Sequence, residues 1–389
     1  MSAYLKREHE VVRRAVKKFA EREVAPLVKK MDEENWYPRE LIRKLGEQGY
    51  MGMLVPAEYG GSEFDSMSYV IAIEELSYYS PALGVFIEVQ NSLAGETLAK
   101  YGTGEQKEKY LPKLASGEWT AAYALTEPGA GSDAAAVRTK AEKRGDHYVI
   151  NGSKIFITNG AYADFVIVYA RTGRLEDRHR GITAFIVDKD TPGFKVASKI
   201  DIMGIRGTGT AELLFEDVEV PEENVLGEIN KGFYIAMDAL NSGRLAIAAV
   251  SVGLARRAYD ESLRFATQRK AFDKLIIEHE GVGFKLADMV TEIEAAKLMV
   301  YHTAYLRDKG ASYYKEAAMA KLFASEVAVR VAREAVQIHG GIGYSKESIV
   351  EMLYRDAKLM EIGEGTSEIL RLVVYRALMK EMGVKPTRR

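Results

Sequence analysis

The sequence predicts an α+β fold in three parts: an α-helical N-terminal domain, a middle β domain and a C-terminal bundle of long helices. Three observations predict it. Apolar residues recur at helical spacing on both sides of a central stretch, and that stretch alternates β-branched and aromatic residues between Gly, Pro and charged turns. The helical runs after it are long enough to pack as a bundle. The expected boundaries are 1–117, 118–227 and 228–389.

In the first part Val12, Val16, Phe19 and Ala20 fall at helical spacing, and Leu41, Leu45 and Gln48 continue it after "WYPRE". The segment "MLVPAEYGGSEFD", with Pro56, Gly60 and Gly61, reads as a loop. In the second part "HYVINGSKIFITNG" sets Asn151-Gly152 between two strand-like runs, which predicts a hairpin turn there. "DFVIVYA", "GITAFIVD" and "TAELLFEDVEV" predict further strands. The third part predicts helices over about 232–268, 282–309, 312–339 and 366–382. Ala317, Met319, Leu322, Phe323 and Val327 give the third of these an apolar stripe wide enough for several helix contacts. The tail "GVKPTRR" reads as disordered.

Composition narrows the function. With 389 residues, 47% of them hydrophobic, the chain can bury a sizeable core. Its 54 Lys and Arg nearly balance 56 Asp and Glu, so it lacks the electrostatic footprint of a nucleic-acid binder. The absence of cysteine excludes disulfides and thiolate chemistry. Glu8, Glu10, Glu21 and Glu23 interrupt the basic opening, unlike a transit peptide. No apolar run reaches the roughly 20 residues that cross a bilayer, so a cytoplasmic protein without membrane insertion is expected. No histidine pair has metal-ligand spacing, so no metal is expected, and "EPGAGSD" does not match a nucleophile elbow.

Five stretches offer chemistry. "AKLMEIGEGTSEILRL" leaves Glu364 between Gly363 and Gly365, either as part of a turn or cap, or as a carboxylate open to a ligand. In "YALTEPGAGSDAAAV", Pro128, Gly129 and Gly131 permit a tight exposed backbone whose N–H groups, with Thr126 and Ser132, suit a polar ligand. It lacks the spacing of a dinucleotide fingerprint, and an ordinary turn is the plainer alternative. In "IFITNG", Phe156 and Thr158 alternate along a strand and so share a face, either against a flat heteroaromatic ring or as a cross-strand packing pair. In "TQRKAFDKL", Arg269 has the geometry to hold a pyrophosphate, and is equally placed for a helix C-terminus. "QIHGGIGY" ends a helix in glycines, with His339 read as a packed or solvated histidine rather than a base or metal ligand.

The order of "TEPGAGSD", "NGSKIFITNG", "IMGIRGTGTAELLFEDVEVP", "QRKAFDKL", "QIHGGIGY" and "YRDAKLMEIGEGTSEI" resembles the acyl-CoA dehydrogenase family, over about residues 5–381. The resemblance implies a helical N-terminal domain, a β-barrel-like middle domain and a C-terminal four-helix bundle, with FAD between the last two and a homotetrameric assembly. It implies α,β-dehydrogenation of an acyl-CoA thioester to the trans-2-enoyl-CoA. Glu364 would be the base, flavin N5 the hydride acceptor, and an electron-transfer flavoprotein the electron acceptor. The thioester oxygen would accept hydrogen bonds from the Glu364 N–H and a flavin ribityl hydroxyl.

By the same resemblance Tyr123, Leu125, Thr126, Phe156 and Thr158 match positions around the isoalloxazine, with Phe156 where tryptophan is common. Arg269, Phe272, Gln337 and Gly341 match contacts to the FAD of a neighbouring subunit. Thr366 and Glu368, the latter often glutamine, match positions near the pyrophosphate and adenosine. Ser132 lies in the cofactor-binding loop and also matches an acyl-CoA contact, as do Asn241, where aspartate is frequent, Arg244 and Gly365.

Some relatives carry the base at the position of Gly243, and glutaryl-CoA dehydrogenases have an arginine near that of Gly84. This chain has neither. Gly363 replaces a tyrosine of many straight-chain enzymes and widens the expected pocket; Glu88 either bounds its far end or faces solvent. A short-to-medium acyl chain, branched chains included, is therefore expected. The alternatives are an acyl-CoA oxidase, which usually adds a further C-terminal domain, a nitroalkane oxidase, which has aspartate in place of Glu364, and a non-catalytic helical binding protein with the same fold.

Overall fold

The computed structural model describes residues 4–384. Its first part contains α1 (Arg7–Phe19), α2 (Val28–Glu34), α3 (Arg39–Glu47), α4 (Ser66–Tyr79), α5 (Pro81–Glu88), α6 (Glu96–Tyr101) and α7 (Gly104–Ala115). Local start signals set several of these. Asp65 caps α4 by accepting from Ser68 N–H at 2.7 Å, Ser80 accepts from Leu83 N–H ahead of Pro81 in α5, and Thr103 with Gln106 closes a capping box on α7. Helix α5 is buried along its whole length, including the acid at its end, Glu88. A π-helical turn, Val89–Gly95, follows it and turns Gln90 inward to bond both backbone groups of Ala121.

The middle part is a mixed eight-stranded sheet of β1 (Ala121–Ala124), β2 (Lys140–Arg144), β3 (His147–Ile157), β4 (Phe165–Arg171), β5 (Ile182–Asp188), β6 (Phe194–Lys199), β7 (Ala211–Pro221) and β8 (Val225–Leu226). Its hydrogen-bonded order is β6-β7-β3-β2-β4-β5-β8, with β1 parallel to β4. The hairpin expected at Asn151-Gly152 does not form. Strand β3 passes straight through that dipeptide, and the turn lies earlier, at Gly145-Asp146, where Arg144 pairs with His147. Asn151-Gly152 instead forms a bulge against β7: the register slips between Ile150 and Gly152, and Asn151 exchanges two hydrogen bonds with Asp217. Gly152 packs on Thr139 so closely that a Cβ would strike it. Glycine's conformational freedom serves a bulge as well as a turn.

The last part contains α8 (Gly232–Ala266), a short ribbon of β9 (Lys270–Ala271) and β10 (Lys274–Leu275), α9 (Glu280–Asp308), α10 (Tyr314–His339), α11 (Ile349–Met360) and α12 (Ser367–Glu381). The four long helices agree with the expected spans to within two residues at each end, whereas α11 was not expected. Helix α8 is long and apolar enough to cross a bilayer by length and composition, contrary to expectation, but 78% of its most apolar window is buried within the molecule. Its apolarity comes from its place at the centre of the bundle. One hydrophobic core runs from Val16 of α1 to Met360 of α11 and unites the two helical parts. The tail expectation over 385–389 lies outside the described residues.

Helix α11 is tied to the rest of the molecule by charge. Arg355 makes a two-pronged pair with Asp32, at 2.8 and 2.6 Å, and the buried carboxyl group of Asp356 accepts from Ile205 N–H at 2.5 Å. Helix α11 also packs directly on α10 and α8.

Candidate active site

Between the end of α11 and Thr366, which caps α12 by accepting from Ile369 N–H at 3.3 Å, five residues form a tight turn. The N–H groups of Ile362 and Gly363 both bond Leu359 O, and Ser367 N–H bonds Glu361 O. Glu364 (φ 55°) and Gly365 (φ 106°) are left-handed. Position 365 needs glycine, but Glu364 carries a side chain where L-residues are strained. At 363 no such need exists: φ is not positive, and a Cβ would make only an ordinary contact with Leu359 at 3.6 Å.

The turn points Glu364 inward. Its Oε2 is buried without a hydrogen-bond partner, as are both carboxyl oxygens of Glu88. The two side chains converge on Gly243 of α8, where a Cβ would collide with Glu364 Oε2 and come within 2.9 Å of Glu88 Oε1. Glu88 therefore does not face solvent. Two carboxyls meeting in a dry site cannot both ionise, and they pair only when one keeps its proton. Burial first, and then the Glu364 charge, pushes Glu88 well above the ordinary carboxylate range. Burial raises Glu364 as well, but a proton on Glu88 and the cations Lys321 and Arg244 oppose that rise. Glu88 is thus the group that holds the proton, and Glu364 the one that ionises.

Arg244, nearly fully buried, donates to Asn241 Oδ1 at 3.0 Å and through Nε to Glu364 O at 3.4 Å. Lys321, fully buried on α10, donates to Gly365 O at 2.7 Å, and burial lowers its pKa to about 8. Tyr123 donates to Ala236 O on α8, and burial raises its pKa well above the usual tyrosine value. One chain therefore brings Glu364, Gly365, Arg244, Asn241 and Tyr123 together. Glu88 had been left between two placements by the sequence, and Lys321 was not singled out at all.

A second cluster lies on the sheet. Glu127 and Ala130 exchange backbone hydrogen bonds around Pro128 and Gly129, while Gly129 and Gly131 face open space and Ser132 is exposed. Ile155 N–H donates to Thr126 O, which sets Phe156 beside this turn with 61% of its surface exposed. The simple alternation expected for Phe156 and Thr158 is corrected here. The register slips between Lys154 and Ile157, Phe156 has φ 58°, and the strand ends before Thr158. The bulge, rather than the pleat, turns the ring outward. Beneath the turn Lys154, fully buried, donates to Leu125 O at 3.0 Å and to Glu127 Oε1 at 2.7 Å. Burial lowers the Lys154 pKa to about 8, and this ion pair, not foreseen in the sequence, fixes the turn.

This cluster fits a flat, polar-edged ring such as FAD carries. An exposed aromatic face adjoins an open glycine turn, and the buried Asn159 Oδ1, next to Thr158, has no hydrogen-bond partner.

Arg269, Phe272, Gln337 and Gly341 are elsewhere. All four are exposed, Phe272 by 91%, and they sit where α8 and α10 end, with Phe265 stacked on His339 at 4.5 Å. From Arg244 to Phe265 the helix rises about 30 Å, so they stand well away from Glu364 of their own chain. His339 also bonds Ala335 O, and of the two placements left open it is the packed one. Glu368 is exposed on the first turn of α12. A cavity of about 750 Å³ lined by Trp36, Tyr37, Arg39, Tyr162 and Lys199 includes none of the site residues named above. Among the described residues Glu8, His9 and Asp65 bring possible metal-ligand atoms together, but both His9 ring nitrogens already have partners, Lys6 N–H and Asp65 Oδ2.

Comparison with known proteins matches three family models. The N-terminal domain of acyl-CoA dehydrogenase matches residues 6–118, the middle domain 122–218 and the C-terminal domain 230–379. An acyl-CoA dehydrogenase of Bacillus subtilis is 47% identical over 97% of this chain and 99% of its own. The solved structure of butyryl-CoA dehydrogenase from Megasphaera elsdenii superposes with a TM-score of 0.94 at 42% identity, covering 96% of this chain and 99% of that one. A chain in a structure described as electron transferring flavoprotein of Acidaminococcus fermentans gives 0.95 at 43% identity, covering 98% and 100%.

Proposed function

The chain belongs to the acyl-CoA dehydrogenase family, and on that premise we propose that Glu364 is the base that takes the α-proton of a short- to medium-chain acyl-CoA. The observation that carries this is the buried, unpartnered Glu364 Oε2, held inward by a strained turn. Bound FAD supplies the hydride acceptor that makes the product a trans-2-enoyl-CoA. Tyr123, Leu125, Thr126, Phe156 and Thr158 would hold its ring, and Thr366 and Glu368 would bind its pyrophosphate and adenosine. Arg269, Phe272, Gln337 and Gly341 reach the FAD of a neighbouring subunit in a homotetramer; their separation from Glu364 within one chain supports this. Ser132, Asn241, Arg244 and Gly365 bind the acyl-CoA, and the Glu364 N–H holds the thioester oxygen while charge develops there. The three domains divide at 1–117, 118–227 and 228–389.

The preference for short chains rests on Glu88, whose carboxyl fills the space beside the base, and on the likeness to butyryl-CoA dehydrogenase. The likeness to a chain from an electron-transferring flavoprotein structure supports such a flavoprotein as electron acceptor. The test is anaerobic addition of butyryl-, isobutyryl-, octanoyl- and palmitoyl-CoA to the FAD-loaded protein. Bleaching of the flavin band by the shorter substrates, persisting on admission of air, is expected. No bleaching by any of them would leave a binding protein, rapid recovery in air an oxidase, and equal rates for all four would remove the chain-length preference.

A further inference from the structure

The turn that carries Glu364 is held by buried cations from two helices. Arg244 of α8 donates to the carbonyl of Glu364, and Lys321 of α10 to that of Gly365. These carbonyls are consecutive, on the two residues with left-handed backbone. A strained turn persists only where its surroundings over-determine it. Lys321 is fully buried among Ala317, Ala318, Ala320 and Ala324 of its own helix, where an apolar side chain would avoid the cost of desolvating an ammonium.

Lys321 faces Glu364 and Glu361 of the turn and Arg244 of α8; Arg244 in turn faces Tyr123 and Tyr314, and Glu364 faces Glu88 of α5. Within this set the choice of which carboxyl ionises depends on where the positive charges stand. We propose that Lys321 is a positioning residue for the base, its ammonium anchoring the Gly365 carbonyl and its charge selecting Glu364 over Glu88 as the carboxylate. The proposal rests on Glu364 being the base. With its ammonium on the Gly365 carbonyl, Lys321 acts through the turn and through the field at Glu364.

The test uses the FAD-loaded holoenzyme with Lys321→Met, Lys321→Arg and Lys321→Gln. Removing the charge takes away one of the groups that favour ionised Glu364, alongside the Glu88 proton and Arg244, so in Lys321→Met the acid limb of the kcat/KM profile should move upward by roughly one pH unit, the low end for a facing charge. The carboxyl C=O stretch lost in Glu364→Gln, followed by infrared difference spectroscopy against pH, should move with it. Lys321→Arg keeps the charge and should leave both close to wild type. Lys321→Gln keeps a donor for Gly365 O without the charge and should shift both upward, and it carries the test if Lys321→Met does not retain FAD. An unmoved acid limb and carboxyl titration in the uncharged variants would overturn the proposal. If Glu364→Gln keeps wild-type turnover, the base assignment itself fails, which is a separate outcome.

Discussion

At the scale of single residues, the proposed base is a carboxylate held in a conformation that L-residues avoid. Glu364→Gln keeps the shape and the backbone N–H, so FAD should stay bound while turnover falls by at least ~100-fold, the lower range for loss of a general base. Stopped-flow flavin reduction and flavin content measure the two effects. Gly363 presents the opposite case, since neither its backbone nor its contacts require glycine. Gly363→Tyr should fold, and should lower kcat/KM for isobutyryl-CoA more than for butyryl-CoA. Glu364 was legible in the sequence because two glycines flank it and the surrounding motifs stand in the family's order. Lys321 was not. A lysine inside a run of helix formers reads as solvent-facing, and only the packing of the 361–365 turn on α10 encloses it. Lys154 was hidden for the same reason, because its partner Glu127 lies 27 residues away in sequence.

At the scale of elements, α8 makes room for the Glu364 side chain by what it leaves out. Glycine in a helix interior costs about 0.5–1 kcal/mol relative to alanine, yet Gly243 sits where a Cβ would collide with Glu364 and crowd Glu88. Gly243→Ala should therefore lower kcat while leaving the thermal midpoint within a few degrees of wild type, as read by parallel kinetics and calorimetry. Helix α11 offers a pH test. Burial raises the Asp356 pKa from 3.8 to about 7, so the native state keeps a proton that the unfolded chain releases near its ordinary value. Stability attributable to Asp356 should then fall as pH rises from about 4 to about 7. In Asp356→Asn this loss disappears, and urea midpoints of variant and wild type should diverge in the variant's favour between pH 5 and pH 8. The long helices were legible because their apolar periodicity persists over many turns. Helix α11 was missed although Val350, Leu353, Ala357 and Met360 are buried at helical spacing, because the run is short and follows several glycines. The bulge at Asn151-Gly152 depends on how β7 pairs with β3, which a local pattern does not contain.

At the scale of the molecule, the residues of the proposed site fall in two separate regions of one chain. Glu364, with the neighbouring cations and the Phe156 face, lies in one region, while Arg269 and the exposed Phe272 stand about 30 Å away along α8. Assembly through the C-terminal bundle would bring the second set to a neighbour's cofactor. Arg269→Ala should accordingly lose FAD on dialysis faster than wild type without a change in helix content, as absorbance ratios and circular dichroism would report. The most direct single measurement is the rate at which butyryl-CoA bleaches the flavin under anaerobic conditions, compared between wild type and Glu364→Gln at equal flavin occupancy. Fast bleaching in the first and a fall of at least ~100-fold in the second is the predicted result; equal rates would mean that another group takes the α-proton.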